Sequence, residues 1–155
     1  MISGQEDFNQ AKEYFEKGNL NEAVKLLRKS ADQGFAAAQC GLGMAYFNGQ
    51  GVVQNHKEAL EWYRKAADQG HVKAQHNLGG MYYFGTGVDQ NYKVAVEWYR
   101  KLADQGFAEA QYALGGMYAS GKGVDQSDKE AAKWFKKAAD QGFAAAIELL
   151  KGFRE

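Results

Sequence analysis

The sequence has no proline, a single cysteine and no net charge. Without proline it has nothing from which to build a polyproline or collagen-like chain. The lone Cys40 excludes an intrachain disulfide and suits a reducing compartment. Nineteen basic residues balance nineteen acidic ones, so no global field draws the chain to nucleic acid or to anionic lipid. No apolar run approaches the ~20 residues a membrane helix requires, so no membrane insertion is expected. The opening MISGQEDFNQAKEYF turns charged at once and lacks the apolar core of a secretion signal. A cytoplasmic location is the expectation if Met1 is the native start; if it is not, an exported form stays open. His56, His71 and His76 form no H-x-x-x-H pair, and one cysteine cannot complete a structural zinc site. Neither a metal nor a cofactor is expected.

What is present is repetition. Hydrophobic residues make up 45% of 155, enough for one domain with a core and too many for a disordered chain. WYRKAADQG (62–70) returns as WYRKLADQG ending at Gly106, as WFKKAADQG ending at Gly142 and, blurred, as LLRKSADQG ending at Gly34. Alignment on ADQG gives units 35–70, 71–106 and 107–142, preceded by a shorter unit (about 4–34) and followed by a half unit (143–155). The third and fourth units agree at 20 of 36 positions, so the period is real. Such a period predicts a solenoid, in which each unit buries its faces only by stacking on its neighbours.

Each unit reads as two helices. Ala74, Leu78 and Tyr82 form an i, i+4, i+8 stripe over about 72–83. The loop FGTGVDQN follows, then a helix over about 92–105 whose apolar face is Ala95, Trp98, Tyr99, Leu102 and Ala103. Asn55, Asn91 and Ser127 share one repeat position and are expected N-caps, with Glu58 and Glu130 at capping-box spacing from two of them. Lys65, Lys101 and Lys137 sit where the helix dipole favours cations, and the glycine of ADQG is the expected left-handed stop.

The order A-x-x-x-L-G-x-x-Y, G-x-G-V, K-x-A-x-x-W-Y-x-K-x-A-x-Q-G resembles the Sel1-like repeat, a branch of the tetratricopeptide repeats. The third unit fills it with Ala74, Leu78, Gly79, Tyr82, Gly85, Gly87, Val88, Lys93, Ala95, Trp98, Tyr99, Lys101, Ala103, Gln105 and Gly106. In the first unit Tyr14 and Ala23 lie nine apart where Tyr46 and Ala59 lie thirteen apart, so that unit looks like an ordinary tetratricopeptide hairpin. The resemblance implies an all-α, right-handed α-solenoid of stacked antiparallel helix pairs whose first helices line a concave face. It implies an adaptor or scaffold role. It also implies that Gly43, Gly79 and Gly115 lie where the two helices of a unit approach closely. Some exported relatives with a cysteine pair per repeat bind or hydrolyse β-lactams; this chain lacks those pairs.

Signs of enzyme chemistry are thin. GMYASGKG (116–123) fills seven of eight places of a phosphate loop, but a helix precedes it, and Gly123 stands where Ser or Thr should bind Mg²⁺. No serine is followed by lysine at the S-x-x-K spacing. A pair formed by Cys40 and a distant histidine is weaker than the reading of Cys40 as a groove residue, since it shares its repeat position with His76 and Tyr112.

Differences between near-identical units mark positions freed from packing. Beside the Ala/Leu/Tyr stripe these are Ala37, Cys40, Met44 and Phe47, then Lys73, His76, Gly80 and Tyr83, then Glu109, Tyr112, Gly116 and Ala119. The expected partner-binding set on the concave face is Phe8, Phe15, Cys40, Met44, Phe47, Lys73, His76, Tyr83, Phe84 and Tyr112, with a peptide or protein as ligand. The competing account is that the aromatics simply pack against the adjoining unit. With only Lys12 and Lys73 counted as inward cations, a ligand held by its terminal carboxylate is not expected. A β-lactam hydrolase and self-association through the repeat ends are the other readings. In FAAAIELLKGFRE, Lys151 replaces the small residue on which a second helix would pack, so one capping helix over about 144–152 is expected.

Overall fold

The computed structural model describes residues 3–152. Among them are helices and connecting turns with no strand: α1 (Gly4–Glu16), α2 (Leu20–Asp32), α3 (Ala36–Asn48), α4 (His56–Asp68), α5 (Val72–Phe84), α6 (Tyr92–Asp104), α7 (Ala108–Ser120), α8 (Asp128–Asp140) and α9 (Ala144–Gly152). Each helix packs on its neighbours in sequence, so the chain is an α-solenoid of helix pairs. Residues 153–155 of the expected capping segment, and Met1, lie outside the described residues.

The helix boundaries follow local chemistry. Asn55, Asn91 and Ser127 accept the backbone N–H of Glu58, Val94 and Glu130 at 3.1, 3.2 and 3.2 Å, which occupies an otherwise orphaned donor. The full capping box expected at two of these sites forms instead at Ser3, whose N–H donates to Glu6 Oε2 at 3.0 Å. Glu130 turns away to Lys133, 3.1 Å distant. At the other end, Gly70 adopts φ 88° and closes α4 with its N–H on the Ala67 carbonyl.

Within a unit the two helices meet at glycine. A Cβ on Gly43 would lie 2.8 Å from the Tyr63 ring, and one on Gly115 would lie 2.8 Å from the Phe135 ring. At Gly79 the nearest atoms, on Trp98 and Tyr99, stand back at 3.3 Å. The third unit is the looser one, and Trp98 is half-buried where Trp62 and Trp134 are buried.

Between units, two polar devices repeat. The Tyr46, Tyr82 and Tyr118 hydroxyls accept from Arg28, Arg64 and Arg100 of the preceding second helix, the latter two at 2.6 and 2.5 Å. Buried Gln39, Gln75 and Gln111 donate to the carbonyls of Ala31, Ala67 and Ala103 at 3.3, 3.1 and 3.2 Å. Gln69 and Gln141 then donate to Gln39 and Gln111, each at 2.8 Å. In the looser third unit Gln75 Oε1 has no such partner. In the first unit the buried Asp7 stands in for the glutamine, with Gln33 Nε2 at 2.9 Å and Lys29 Nζ at 3.6 Å.

The loop glycines are conformational. Gly87 has φ 72°, and a Cβ there would sit 2.7 Å from the His56 carbonyl oxygen. Gly123, in the phosphate-loop-like stretch, has φ 71° and meets the Tyr92 carbonyl in the same way. These loops rest backbone-to-backbone on the unit before.

Candidate partner-binding groove

Two of the clefts between the first helices of successive units carry most of the sequence-derived set. One, of about 390 Å³, lies between α3 and α5; Met44, Phe47, Lys73, His76 and Phe84 line it. The other, of about 610 Å³, lies between α5, α7 and α9, and is lined by His76, Tyr83, Phe84, Tyr112 and Lys122 among others. His76, Phe84 and Tyr99 belong to both walls, so the clefts are neighbours across one ridge. The structure therefore brings together seven residues of the sequence-derived set: Met44, Phe47, Lys73, His76, Tyr83, Phe84 and Tyr112.

Three residues fall outside. Phe8 stacks edge-on against Phe35 at 5.3 Å and, with Phe15, borders the core of the first two units. Cys40 is a correction: it is 2% exposed, because its short side chain ends inside the core of Leu60, Tyr63 and Ala74. Burial pushes its thiol up to about 11, against a smaller opposing pull from Lys73, so it offers no thiolate near neutral pH. His76 and Tyr112, longer at the same repeat position, reach the surface.

The aromatics make the packing contacts of the competing account and yet stay partly exposed. Tyr112 packs on Phe135 and Phe143 at 5.5 and 5.2 Å, and Tyr83 meets Tyr92 at 5.2 Å. Phe47 lies 4.8 Å from the His56 ring. Each of these side chains is half-buried and keeps an open face. Phe84 is different: it is 72% exposed, touches Tyr83 at 4.8 Å, and stands where the sister units carry Asn48 and Ser120.

The charged groups are few. His76 Nε2 lies 3.4 Å from Glu109. Lys122, from the loop after α7, donates to the Tyr83 hydroxyl at 3.1 Å and lies over the Tyr83 and Tyr92 rings. Lys122 comes here from 39 residues beyond Tyr83; its departure from Gln50 and Thr86 at the same repeat position is the one signal of it in the sequence. Among the described residues no group of three or more His, Cys, Asp or Glu is arranged to hold a metal ion.

These features define a repeat solenoid with an open, largely apolar groove. The chain belongs to the Sel1-repeat family: the Sel1 repeat model matches residues 3–19, 16–35, 36–71, 72–107 and 108–143. The first hairpin is matched as two overlapping fragments, in keeping with its missing loop insertion. A protective antigen present in uropathogenic Escherichia coli strains, displaying an SLR fold, is 36% identical with a TM-score of 0.91 over 96% of this chain. A Sel1 repeat protein from Oxalobacter formigenes is 35% identical with a TM-score of 0.88 over 94% of it. The chain spans 33% and 61% of those two proteins' own lengths. The Helicobacter pylori cysteine rich protein B, at 24% identity, a TM-score of 0.62 and coverage of 81% of this chain and 96% of its own, shares the fold. No protein of curated function matches the sequence.

Proposed function

We propose that this chain is a non-enzymatic interaction module, an adaptor or scaffold, that holds a peptide or protein segment in the groove formed by α3, α5 and α7. Sel1-repeat folds commonly mediate protein–protein interaction, and the scaffold is typically non-catalytic. What carries the finer reading is Phe84. An aromatic ring 72% exposed on the ridge between two apolar clefts, packed only edge-on against Tyr83, gains little from the fold, yet is well placed as an anchor for a partner. The surrounding residues vary between units whose packing residues do not, which is what a recognition surface requires. The β-lactam hydrolase alternative gains no support from this site, since the single thiol is buried and held protonated.

Panning a random peptide library on the immobilised protein tests this directly. Phe84→Ala should leave the melting temperature unchanged and weaken the recovered binders by on the order of 2 kcal/mol, the hot-spot scale. Binders that Phe84→Ala retains, and that are lost instead on changing Glu61 or Lys65 on the outer side of α4, would move the working surface to the other side.

A further inference from the structure

We infer that the groove is selective for an extended peptide segment carrying acidic side chains beside its apolar anchors, recognised by Lys73 and Lys122; this rests on the groove reading above. The cleft between α3 and α5 contains Lys73 and no carboxylate, although on its other side Lys73 borders a cleft that also holds Glu109. The cleft beyond α5 contains Lys122 and one carboxylate, Glu109, which already faces His76 at 3.4 Å. The two cations lie at opposite ends of α5. Lys73 is in its first turn, and Lys122 is fixed beside Tyr83 in its last. Ten residues of helix separate positions 73 and 83, roughly 15 Å at the α-helical rise, which an extended chain of about five residues spans.

Lys122 is not a free surface lysine. Its ammonium donates to the Tyr83 hydroxyl and lies 5.2 and 5.4 Å from the Tyr83 and Tyr92 ring centroids. The hydrogen bond to Tyr83 is also the main reason its proton is held more tightly than in free lysine. That geometry holds a positive charge in a fixed place at the lip of an apolar cleft, so an incoming carboxylate would meet a donor already positioned. The sister loops carry Gln50 and Thr86 at this position, and the sister helices carry Ala37 and Glu109 in place of Lys73. The cationic pair is thus particular to the α5 region, as the exposed Phe84 is. The lysine that makes 116–123 look like a phosphate loop has its place here, over two tyrosines.

The test uses a random library displayed with no free C-terminus, so that a terminal carboxylate cannot contribute. Peptides retained by the parent protein and lost by Phe84→Ala should be enriched in Asp and Glu relative to the starting library. The double variant Lys73→Glu/Lys122→Glu, checked to melt like the parent, should turn that bias toward Lys and Arg. For one selected peptide, Lys73→Gln and Lys122→Gln should each weaken binding about three- to tenfold, and added salt should weaken it further. Should the double variant be unstable, the exposed Lys73→Gln alone carries the comparison. Phe84-dependent binders with no acidic bias, or with a bias that survives charge reversal, would overturn this inference and leave the groove reading standing. An absence of Phe84-dependent binders would overturn both.

Discussion

Gly115 and Gly116 are neighbours on α7, and the same added methyl group should push them in opposite directions. An alanine in a helix interior is favoured over glycine by roughly 0.5–1 kcal/mol, because less backbone freedom is lost on folding. At Gly116 an added Cβ meets nothing within 4 Å, so Gly116→Ala should keep that gain. At Gly115 the Cβ would lie 2.8 Å from Cδ1 and Cε1 of Phe135, a ring 5% exposed that also packs against Tyr112. Moving such a ring costs about 1–3 kcal/mol. The gain offsets part of this, so Gly115→Ala should be destabilising by up to about 2 kcal/mol, and the two variants should differ by about 1–3 kcal/mol. For a chain of this size that separates their melting temperatures by roughly 2–10 °C. Thermal and urea unfolding followed by far-ultraviolet circular dichroism measures it, and both sites report on the same helix. If Gly115→Ala melts at or above Gly116→Ala, the helices of a unit do not meet where the packing places them. Gly79, with 3.3 Å of clearance, should tolerate alanine better than Gly115. Leucine there should still cost a few kcal/mol, because its extra atoms must enter between Trp98 and Tyr99.

His71 caps α5 through Nδ1, which accepts the Ala74 N–H at 3.3 Å, and burial, aided by Lys73, lowers its pKa from 6.5. Folding favours the neutral ring, so its stabilising contribution is full above 6.5 and falls as pH drops toward the lower folded value. The melting-temperature advantage of His71→Asn, which keeps an acceptor and does not titrate, should therefore grow from about pH 7.5 to about pH 5.5; a constant difference would remove His71 from the cap. Cys40 should react with maleimide at least about a hundredfold more slowly in the native protein than in urea, and equal rates would put the thiol outside the core. Tyr82→Phe, which deprives Arg64 of its 2.6 Å acceptor, should cost about 1–2 kcal/mol; an unmoved urea midpoint would mean the guanidinium is solvated rather than clasped.

Local signals were legible in the sequence because their chemistry is completed within a few residues. The caps at Asn55, Asn91 and Ser127 and the glycine stops each appear at the position that the repeat assigns, whereas the contact glycines, which meet rings about twenty residues on, were expected only through the family resemblance. Residues whose partners are distant were harder to read. Gln39, Gln75 and Gln111 resemble surface glutamines, and only the stacking of the next unit shows that they are buried. Their identity in all three full units was a usable sign, by the same logic that separates repeated packing positions from variable ones. Arg28, Arg64 and Arg100, each eighteen residues before a tyrosine, carried the same sign. Cys40 lies in the core and not in the groove because repeat position fixes the direction of a side chain and not its reach. Equivalence to His76 and Tyr112 says nothing about whether a two-atom side chain comes out from beneath its neighbours.

The buried polar ladder bears on why the groove is free to vary. Alanine and leucine surfaces can slide past one another with little change in buried area, so apolar stacking alone fixes the register of successive units weakly. A buried side-chain amide that must find one particular carbonyl does not tolerate such a slide, because a missed bond strands a polar group away from water. Gln39 on Ala31, Gln75 on Ala67 and Gln111 on Ala103 set that register three times over, and Asp7 with Lys29 and Gln33 serves the first hairpin. After α8 the device stops. On α9 Ile147 takes the glutamine position. An apolar side chain there has no hydrogen bond to miss. Register is thus held by Gln39, Gln75 and Gln111 and by the Arg28–Tyr46, Arg64–Tyr82 and Arg100–Tyr118 pairs, none of which is among the side chains at 44, 47, 73, 76, 83 and 84 that line the groove or its ridge. Residues such as Phe84, Lys73 and His76 can change from unit to unit without shifting the stack, which is the condition under which a repeat surface can be adapted to a partner.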